Sequence, residues 1–331
     1  MKQTFRYYPL RFLILCFFLT GVSLCACAQS AEPVSRQGFY FDTVIRITLY
    51  DTRDEALLDH CFALADTYEA MFSKTKENSD IWNLNHADGG MVALHEDTLA
   101  LLRTALSYAE LTDGKVDPTI GSVNRLWNFT GPEAAVLPDD TALAQALTHV
   151  DYRAVTINGS MAALNDPYAE LDLGFIAKGY IADRIKEYLV SQGVTSALIN
   201  LGGNVLTIGS RPDGSPFKVG IQEPFAAAGI TAYTLPVTDQ SVVSSGTYER
   251  YFEKDGLIYH HILDTKTGYP VWNNLSEVTI LCDSSTQGDA LSTTCFILGA
   301  EKGMELIESL PDTEAVFITC NGEILRSGGL N

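Results

Sequence analysis

The sequence predicts an α+β protein, with mixed or antiparallel sheets and packed helices forming one composite unit. Three observations lead there. Helical and strand periodicities follow one another irregularly, with no regular βαβ series. Neighbouring strands are joined by tight turns, Asn158-Gly159 and Gly202-Gly203 among them. The 331 residues are 46% apolar and 19% charged, which supplies a sizeable core and excludes disorder as the overall state. That length admits one large domain or two of ordinary size.

The elements can be justified in order. Lys2, Arg6 and Arg11 form a basic leader, and Phe12 to Leu24 carries no charge. These 13 residues are too few for a membrane-spanning helix, which needs about 20, and fit a signal-peptide core. Leu24-Cys25-Ala26-Cys27 resembles a bacterial lipobox with Cys27 as the lipidated first residue; an ordinary signal cut near Ala28 is the alternative. Residues 39–50 alternate and are rich in β-formers, as in a strand. Over 53–72, Leu57, Cys61, Leu64, Tyr68 and Met71 recur at helical spacing. A polar stretch runs from Ser73 to Asp88. A second amphipathic helix covers 96–111, with Leu99, Leu102, Leu106 and Ala109 on one face, and Asp113-Gly114 ends it. Residues 131–140, rich in Pro and Asp, read as a loop that could mark a domain boundary or lie within one interlocked unit. A short helix follows at 141–147, then two strands within 152–172, then a helix over 177–191 that stops at Gly193. Strands are predicted at 196–201, 204–209, 217–222, 231–237, 241–245, 249–253, 257–263 and 276–282. Helices at 286–298 and 301–309 and a strand pair over 315–325 complete the chain.

Charge narrows the partners. Lysine plus arginine is 22 and aspartate plus glutamate 41, a net charge of −19. Removing residues 1–26 takes away three basic residues and no acid, leaving −22. Nucleic acid needs a basic footprint and is excluded. Adhesion to an anionic membrane by charge is excluded too, so attachment would rest on acyl chains. Of seven cysteines, Cys61, Cys282, Cys295 and Cys320 remain after the leader and Cys27. None forms a CxxC pair, which argues against zinc and redox dithiols. Disulfides in an exported chain and buried single thiols both stay open.

Four segments could carry chemistry. In Leu171 to Tyr180 (LDLGFIAKGY) a strand runs through Gly174 into a helix, whose first N–H groups favour an anion, and Lys178 adds a positive charge. An ordinary strand-to-helix turn capped by Asp172 would look the same. Gly202-Gly203 permits a tight hairpin or a ligand packed against backbone. Ser244 to Tyr248 is hydroxyl-rich, and His260 and His261 follow on a strand, where adjacent side chains point to opposite faces. One of the two could serve a pocket as a general base, or be a solvated strand-end histidine. Asp289 and Thr293, at i and i+4, share a helix face. Their oxygens suit a hard cation such as magnesium, although an acid in a first helical turn is common. Together these parts match metal-assisted attack on a phosphoanhydride.

In this order the segments resemble the FAD:protein FMN transferases, the ApbE-type flavin transferases. The resemblance covers about residues 38–325. It is carried by FDTV (41–44), SDIWNLN (79–85), GKVDPTIGSVNRLW (114–127), LDLGFIAKGYIAD (171–183), LINLGGN (198–204), SSGTYERYF (244–252), HHILDTKTGYP (260–270) and DALSTTCFILG (289–299). It implies a magnesium-dependent transfer of the FMN part of FAD to a threonine or serine of an acceptor protein, with release of AMP. Acceptors are typically subunits of membrane redox complexes, and exported members are often lipoproteins, on the extracytoplasmic face. By motif, Asp289 and Thr293 would hold the metal, with Ser292 adjacent and the Phe175 carbonyl assisting. Lys115, Val116, Asp117, Asp172 and Lys178 would contact FAD, Phe41 and Leu263 would line its pocket, and His261 would deprotonate the acceptor hydroxyl. The implied organisation is a lipoprotein signal peptide at 1–26, a tether at 27–37 and a catalytic domain at 38–331. Four positions depart from the common pattern: Phe41-Asp42-Thr43 replaces Met-Gly-Thr, Phe175 replaces a small residue, Thr75 an aromatic one, and Thr265 a proline. The small Thr75 opens a second reading, hydrolysis of FAD to FMN and AMP. A non-catalytic flavin-binding lipoprotein is the third.

Overall fold

The computed structural model describes residues 32–129 and 136–330. The expected signal peptide, Cys27 and residues 27–31 of the expected tether lie outside these residues, as does part of the 131–140 loop. Where one strand was expected over 39–50, the chain folds back on itself. β1 (Val34–Tyr40) and β2 (Thr43–Leu49) form a hairpin in which Val34 faces Leu49 and Tyr40 faces Thr43. Phe41 and Asp42 make the turn with φ of 51° and 57°, the left-handed pair that a two-residue hairpin loop requires. Residues 34–37, expected in the tether, are therefore half of β1.

α1 (Glu55–Phe72) starts at Asp54, whose carboxylate accepts from Ala56 N at 3.0 Å, and buries Leu58, Cys61, Ala65 and Tyr68. The polar stretch after it contains a short helix, α2 (Asp80–Asn85), capped by Ser79. β3 (Val92–Ala93) precedes α3 (Glu96–Leu111), which ends where Asp113 and Gly114 turn left-handed. α4 (Gly121–Asn124) and α5 (Asp140–Leu147) follow, then β4 (Val155–Asn158) and β5 (Met161–Leu164). α6 (Ala177–Ser191) leads into β6 (Ala197–Leu201), β7 (Asn204–Ile208), β8 (Phe217–Gln222), β9 (Thr231–Val237), β10 (Ser241–Gly246), β11 (Tyr251–Lys254) and β12 (Leu257–His260). β13 (Leu275–Cys282), α7 (Ser285–Leu298), α8 (Ala300–Glu308), β14 (Glu314–Thr319) and β15 (Ile324–Arg326) complete the chain.

Eight strands form the main sheet in the order β1-β2-β6-β7-β10-β13-β14-β15. Every neighbouring pair in it is antiparallel. The smaller sheets, β3-β5-β4, β8-β9 and β11-β12, are antiparallel as well. The architecture is thus α+β, and residues 33–331 cluster as one compact unit.

β13 is buried along its whole length because both faces of the sheet are covered. On one face, Val278 and Ile280 pack with Leu291 and Phe296 of α7 and Ile307 of α8. On the other, Leu281 and Val242 meet Val219, Ile221, Leu235 and Val237 of the β8-β9 hairpin. The β2-β6-β7 part of the sheet packs Ile47, Ile199 and Leu206 against Leu58, Leu102 and Ile185 of the helices.

α6 and α7 are locked together. The Asp183 carboxylate accepts from Ser285 N at 2.8 Å, Thr286 N at 2.9 Å and Ser284 Oγ at 2.9 Å, and so caps α7 from α6. At the crossing a Cβ on Gly179 would strike the Ser285 carbonyl, so only glycine allows this approach. Among the described residues Cys61, Cys282, Cys295 and Cys320 are free thiols, the first three buried. Within the same residues no helix is long and apolar enough to cross a membrane.

Candidate active site

A cavity of about 980 Å³ opens where β10 and Glu277 of β13 meet the N-terminal turn of α6 and the Asp289, Thr293 and Ile297 face of α7. That is the upper end of the range for small-molecule sites, roughly 300–1,000 Å³. Of the residues singled out in the sequence, Phe41, Lys115, Val116, Asp117, Asp172, Phe175, Lys178, His261, Leu263, Asp289 and Thr293 all line it. Ser292 does not.

The α6 turn and the α7 acid are one assembly. Asp289, 2% exposed, accepts from Gly179 N at 2.9 Å and from Lys178 Nζ at 3.2 Å. The anion at the α6 N-terminus is therefore a carboxylate from α7, and Lys178 spends its charge on that carboxylate. Burial raises the Asp289 pKa, while Lys178 and the Gly179 N–H pull it back down. One turn on, Thr293 Oγ1 lies 3.2 Å from Ser245 Oγ of β10. Ser292, one residue before Thr293, also reaches Ser245, with Oγ 2.8 Å from Ser245 Oγ and 2.9 Å from the Asp289 carbonyl, but does not line the cavity. Helical geometry sets it about 100° round the helix from Thr293.

Asp172 sits at the other side of the α6 turn. Its carboxylate accepts from Lys74 Nζ at 2.7 Å, Asn124 Nδ2 at 2.8 Å and Gly174 N at 2.8 Å. Burial would raise its pKa, but Lys74 and these hydrogen bonds outweigh it and bring it to about 2. Asp117 lines the cavity, yet its carboxylate is committed to the fold. It accepts from Thr119 N at 2.8 Å, Thr119 Oγ1 at 2.6 Å and Tyr152 N at 2.9 Å. The Lys115 and Val116 N–H groups donate to the Thr112 carbonyl at 3.3 Å and Oγ1 at 3.0 Å, so what this segment leaves for a ligand is the Lys115 side chain and the 115 and 116 carbonyls. Thr265 ties the segment to the 264–270 turn through Oγ1 and the Gly114 carbonyl, 2.8 Å apart. Phe41 N donates to Glu69 Oε1 at 2.9 Å, which fixes the hairpin turn at the cavity rim.

The two histidines part at the end of β12: His260 is its last residue and His261, expected on the same strand, lies just past it. His260 is 2% exposed, packs edge-on against Phe296 at 5.6 Å and places Nε2 3.1 Å from the Val271 carbonyl. His261 faces the cavity, its backbone N donating to the Arg250 carbonyl at 3.1 Å and its buried Nδ1 unpartnered. Burial, helped by Arg250, His260 and Lys178, lowers its pKa to about 3, so the ring is neutral at physiological pH.

The comparisons follow from this geometry. The sequence pattern of the ApbE family matches residues 41–317, a span that includes every lining residue named above. The chain belongs to the ApbE family. It is 34% identical to an FAD:protein FMN transferase of Treponema pallidum over 350 residues, covering 100% of this chain and 96% of the relative. A Klebsiella pneumoniae protein of the same name is 38% identical and covers 86% of this chain and 88% of its own length. Among solved structures, the ApbE protein of Thermotoga maritima superposes with a TM-score of 0.82 at 30% identity, covering 90% of this chain and 98% of that one. The Vibrio cholerae flavin transferase ApbE gives 0.80 at 28% identity, with the same coverage of both chains.

Other members of this ApbE site were not singled out in the sequence, although Asn124 and Glu249 lie within the 114–127 and 244–252 motifs. Lys74 and Asn124 reach Asp172 from positions 98 and 48 residues away. Glu277 is fully buried on β13 and Glu249 follows β10, and both line the cavity. Burial pushes Glu277 up to about 7. Only the tertiary fold brings these residues to the site. Asp117 is different: Asp117-Pro118-Thr119 is a local turn pattern that could have foretold the use of its carboxylate.

Proposed function

We propose that this chain is an FAD:protein FMN transferase. One observation carries the reading: Asp289 and Thr293, the Asp172-Lys178 turn and the free imidazole of His261 all line one cavity. The oxygen-only pair of Asp289 and Thr293 fits a hard cation, and no cluster of three or more His, Cys, Asp or Glu side chains among the described residues offers a softer or more acidic site. Magnesium held by Asp289, Thr293 and the Phe175 carbonyl would neutralise charge on the pyrophosphate of FAD.

The protein's own groups supply the rest. Lys74 and Asn124 fix the Asp172 carboxylate beside the α6 turn, where it can accept hydrogen bonds from FAD. Lys178 lies within reach of both Asp289 and the cavity, so its ammonium is placed to turn to a phosphate. His261, neutral and facing the cavity, takes the proton of the acceptor hydroxyl. The acceptor oxygen then bonds to the FMN phosphorus, the bond to the AMP phosphate breaks, and AMP leaves. The products are a phosphoester-linked FMN and AMP.

A lipobox at Cys27 and the basic leader support an exported lipoprotein anchored at the outer side of a membrane. Acceptors on the same face, subunits of membrane redox complexes, suit that placement. A second reading has its own observation: Thr75 is small, exposed and at the cavity rim, where water can enter and yield FMN and AMP. The test is incubation with FAD, magnesium and a purified acceptor, followed by denaturing electrophoresis and flavin fluorescence. Covalent FMN on the acceptor is expected. AMP release at the same rate without acceptor, and no labelled protein, would favour hydrolysis and reject transfer.

A further inference from the structure

The residues that line the cavity fall into two chemically different groups, or lobes, which meet where Glu249 faces Lys178. On one side stand Lys74, Lys115, Asp172 and Lys178, the side already assigned to FAD. The other is bounded by Val219 and Gln222 of β8 and by Ser244, Tyr248, Glu249 and Glu277, with Arg250 beside them. Nothing in the FAD reading uses this second lobe. Its inner surface is made chiefly of hydrogen-bond acceptors and hydroxyls. Glu277 is fully buried, receives Thr279 Oγ1 at 3.2 Å on Oε1, and leaves Oε2 sealed and unpartnered. A phosphate there would meet two acids. A polypeptide, rich in N–H donors, would satisfy the exposed Glu249 carboxylate, while Glu277 Oε2 stays sealed behind the wall.

The mouth of this lobe is aromatic. Phe225, at the tip of the β8-β9 hairpin, stands edge-on to Tyr251 at 5.2 Å and to Tyr248 at 6.1 Å. Phe225 is 45% exposed and Tyr251 40%. Phe225 holds a φ of 61°, a left-handed conformation that strains a bulky side chain and concentrates at functional positions. Exposed aromatics with few rotors are the usual anchors of protein recognition. Tyr248 belongs both to this ridge and to the cavity wall, so the ridge runs continuously into the site of transfer.

The geometry points to the second lobe and its Phe225-Tyr251 lip as the docking surface for the acceptor polypeptide, an extended segment without acidic residues beside its hydroxyl. This inference rests on the transferase reading. The hydroxyl enters between the β8-β9 hairpin and the 248–250 turn, opposite FAD, and arrives beside His261.

The test uses full-length chain, FAD and a purified acceptor that the wild-type protein labels with FMN. Phe225→Ala, Tyr251→Ala and the double variant are compared for acceptor KM, kcat and FAD affinity by flavin fluorescence. The expected result is a rise in acceptor KM of about tenfold in the double variant, with kcat and FAD affinity within about twofold of wild type. An unchanged acceptor KM overturns the inference, as does equal loss of FAD affinity, which would make the lip part of the flavin site. If the wild type labels no acceptor at all, it is the transferase reading that falls.

Discussion

Burial acts in opposite directions on His261 and Asp172. It strips the His261 imidazole of its proton, whereas Lys74 keeps Asp172 ionised in spite of it. For His261→Ala we expect FMN transfer to fall by at least about 100-fold while FAD affinity changes little; transfer above a tenth of wild type would remove His261 from the role of base. For Asp289→Ala we expect AMP release to vanish at every magnesium concentration, and recovery at high magnesium would contradict the metal assignment. Asp172 has a folded pKa of about 2, below its ordinary value near 4. Its contribution to stability is present above pH 4 and lost as pH falls toward 2. Lys74→Met should move that loss to higher pH, as acid titration of the melting temperature would show. These residues differ in how far the sequence disclosed them. Asp172, Lys178, His261 and Asp289 stand in contiguous motifs whose chemistry is readable. Lys74 is one lysine in a polar stretch, and Glu277 one acid in an apolar strand; their roles arise only when distant segments meet.

The contact between α6 and α7 sets the geometry of the site, because it joins Lys178 to Asp289. Gly179→Ala places a methyl against the Ser285 carbonyl and the Asp289 side chain. Overpacking of this kind costs about 1–3 kcal/mol, and here it also pushes Asp289 away from the Gly179 N–H. A variant with unchanged melting temperature and unchanged activity would refute that coupling. Asp183→Ala should cost about 1–2 kcal/mol through the lost cap of α7, measured by denaturant unfolding, without direct contact with the ligand. Most elements were legible because periodicity, caps and Gly punctuation agreed: α1, α3, α6 and α7 begin and end within two residues of expectation. The β1-β2 hairpin was not, because Phe41-Asp42 is outside the usual Asn-Gly and Asp-Gly turn chemistry and the hydrophobic alternation runs through it. α2 was hidden by its length, 6 residues, too short to show a helical period.

For the whole molecule, two bulk properties have measurable effects. Residues 27–331 carry −22, so long-range repulsion opposes an anionic dinucleotide on approach. Raising ionic strength from about 10 to 200 mM shortens the Debye length roughly from 30 to 7 Å and should speed FAD association severalfold in stopped flow; a slower rate would mean that the local lysines dominate the field. His260 and His261 have folded pKa values of about 4 and about 3, both below the unfolded value near 6.5. The unfolded chain binds more protons below that value, so stability should be full above pH 6.5 and decline as pH drops toward 4. His260→Phe should flatten the decline, as melting curves across that range would reveal. The α+β class was legible in the irregular order of elements. The interleaving of the sheet was not, because pairing such as β2 with β6 joins residues about 150 apart with no local signature.

The cavity is lined from both faces of the main sheet, by α7 with Asp289 and Thr293 on one and by Ser244, Glu277 and the β8-β9 hairpin on the other. Two substrates that occupy different faces need not displace one another. The kinetic order is then sequential through a ternary complex: double-reciprocal plots against FAD and acceptor should intersect rather than run parallel, and no FMN-labelled enzyme should accumulate when acceptor is withheld.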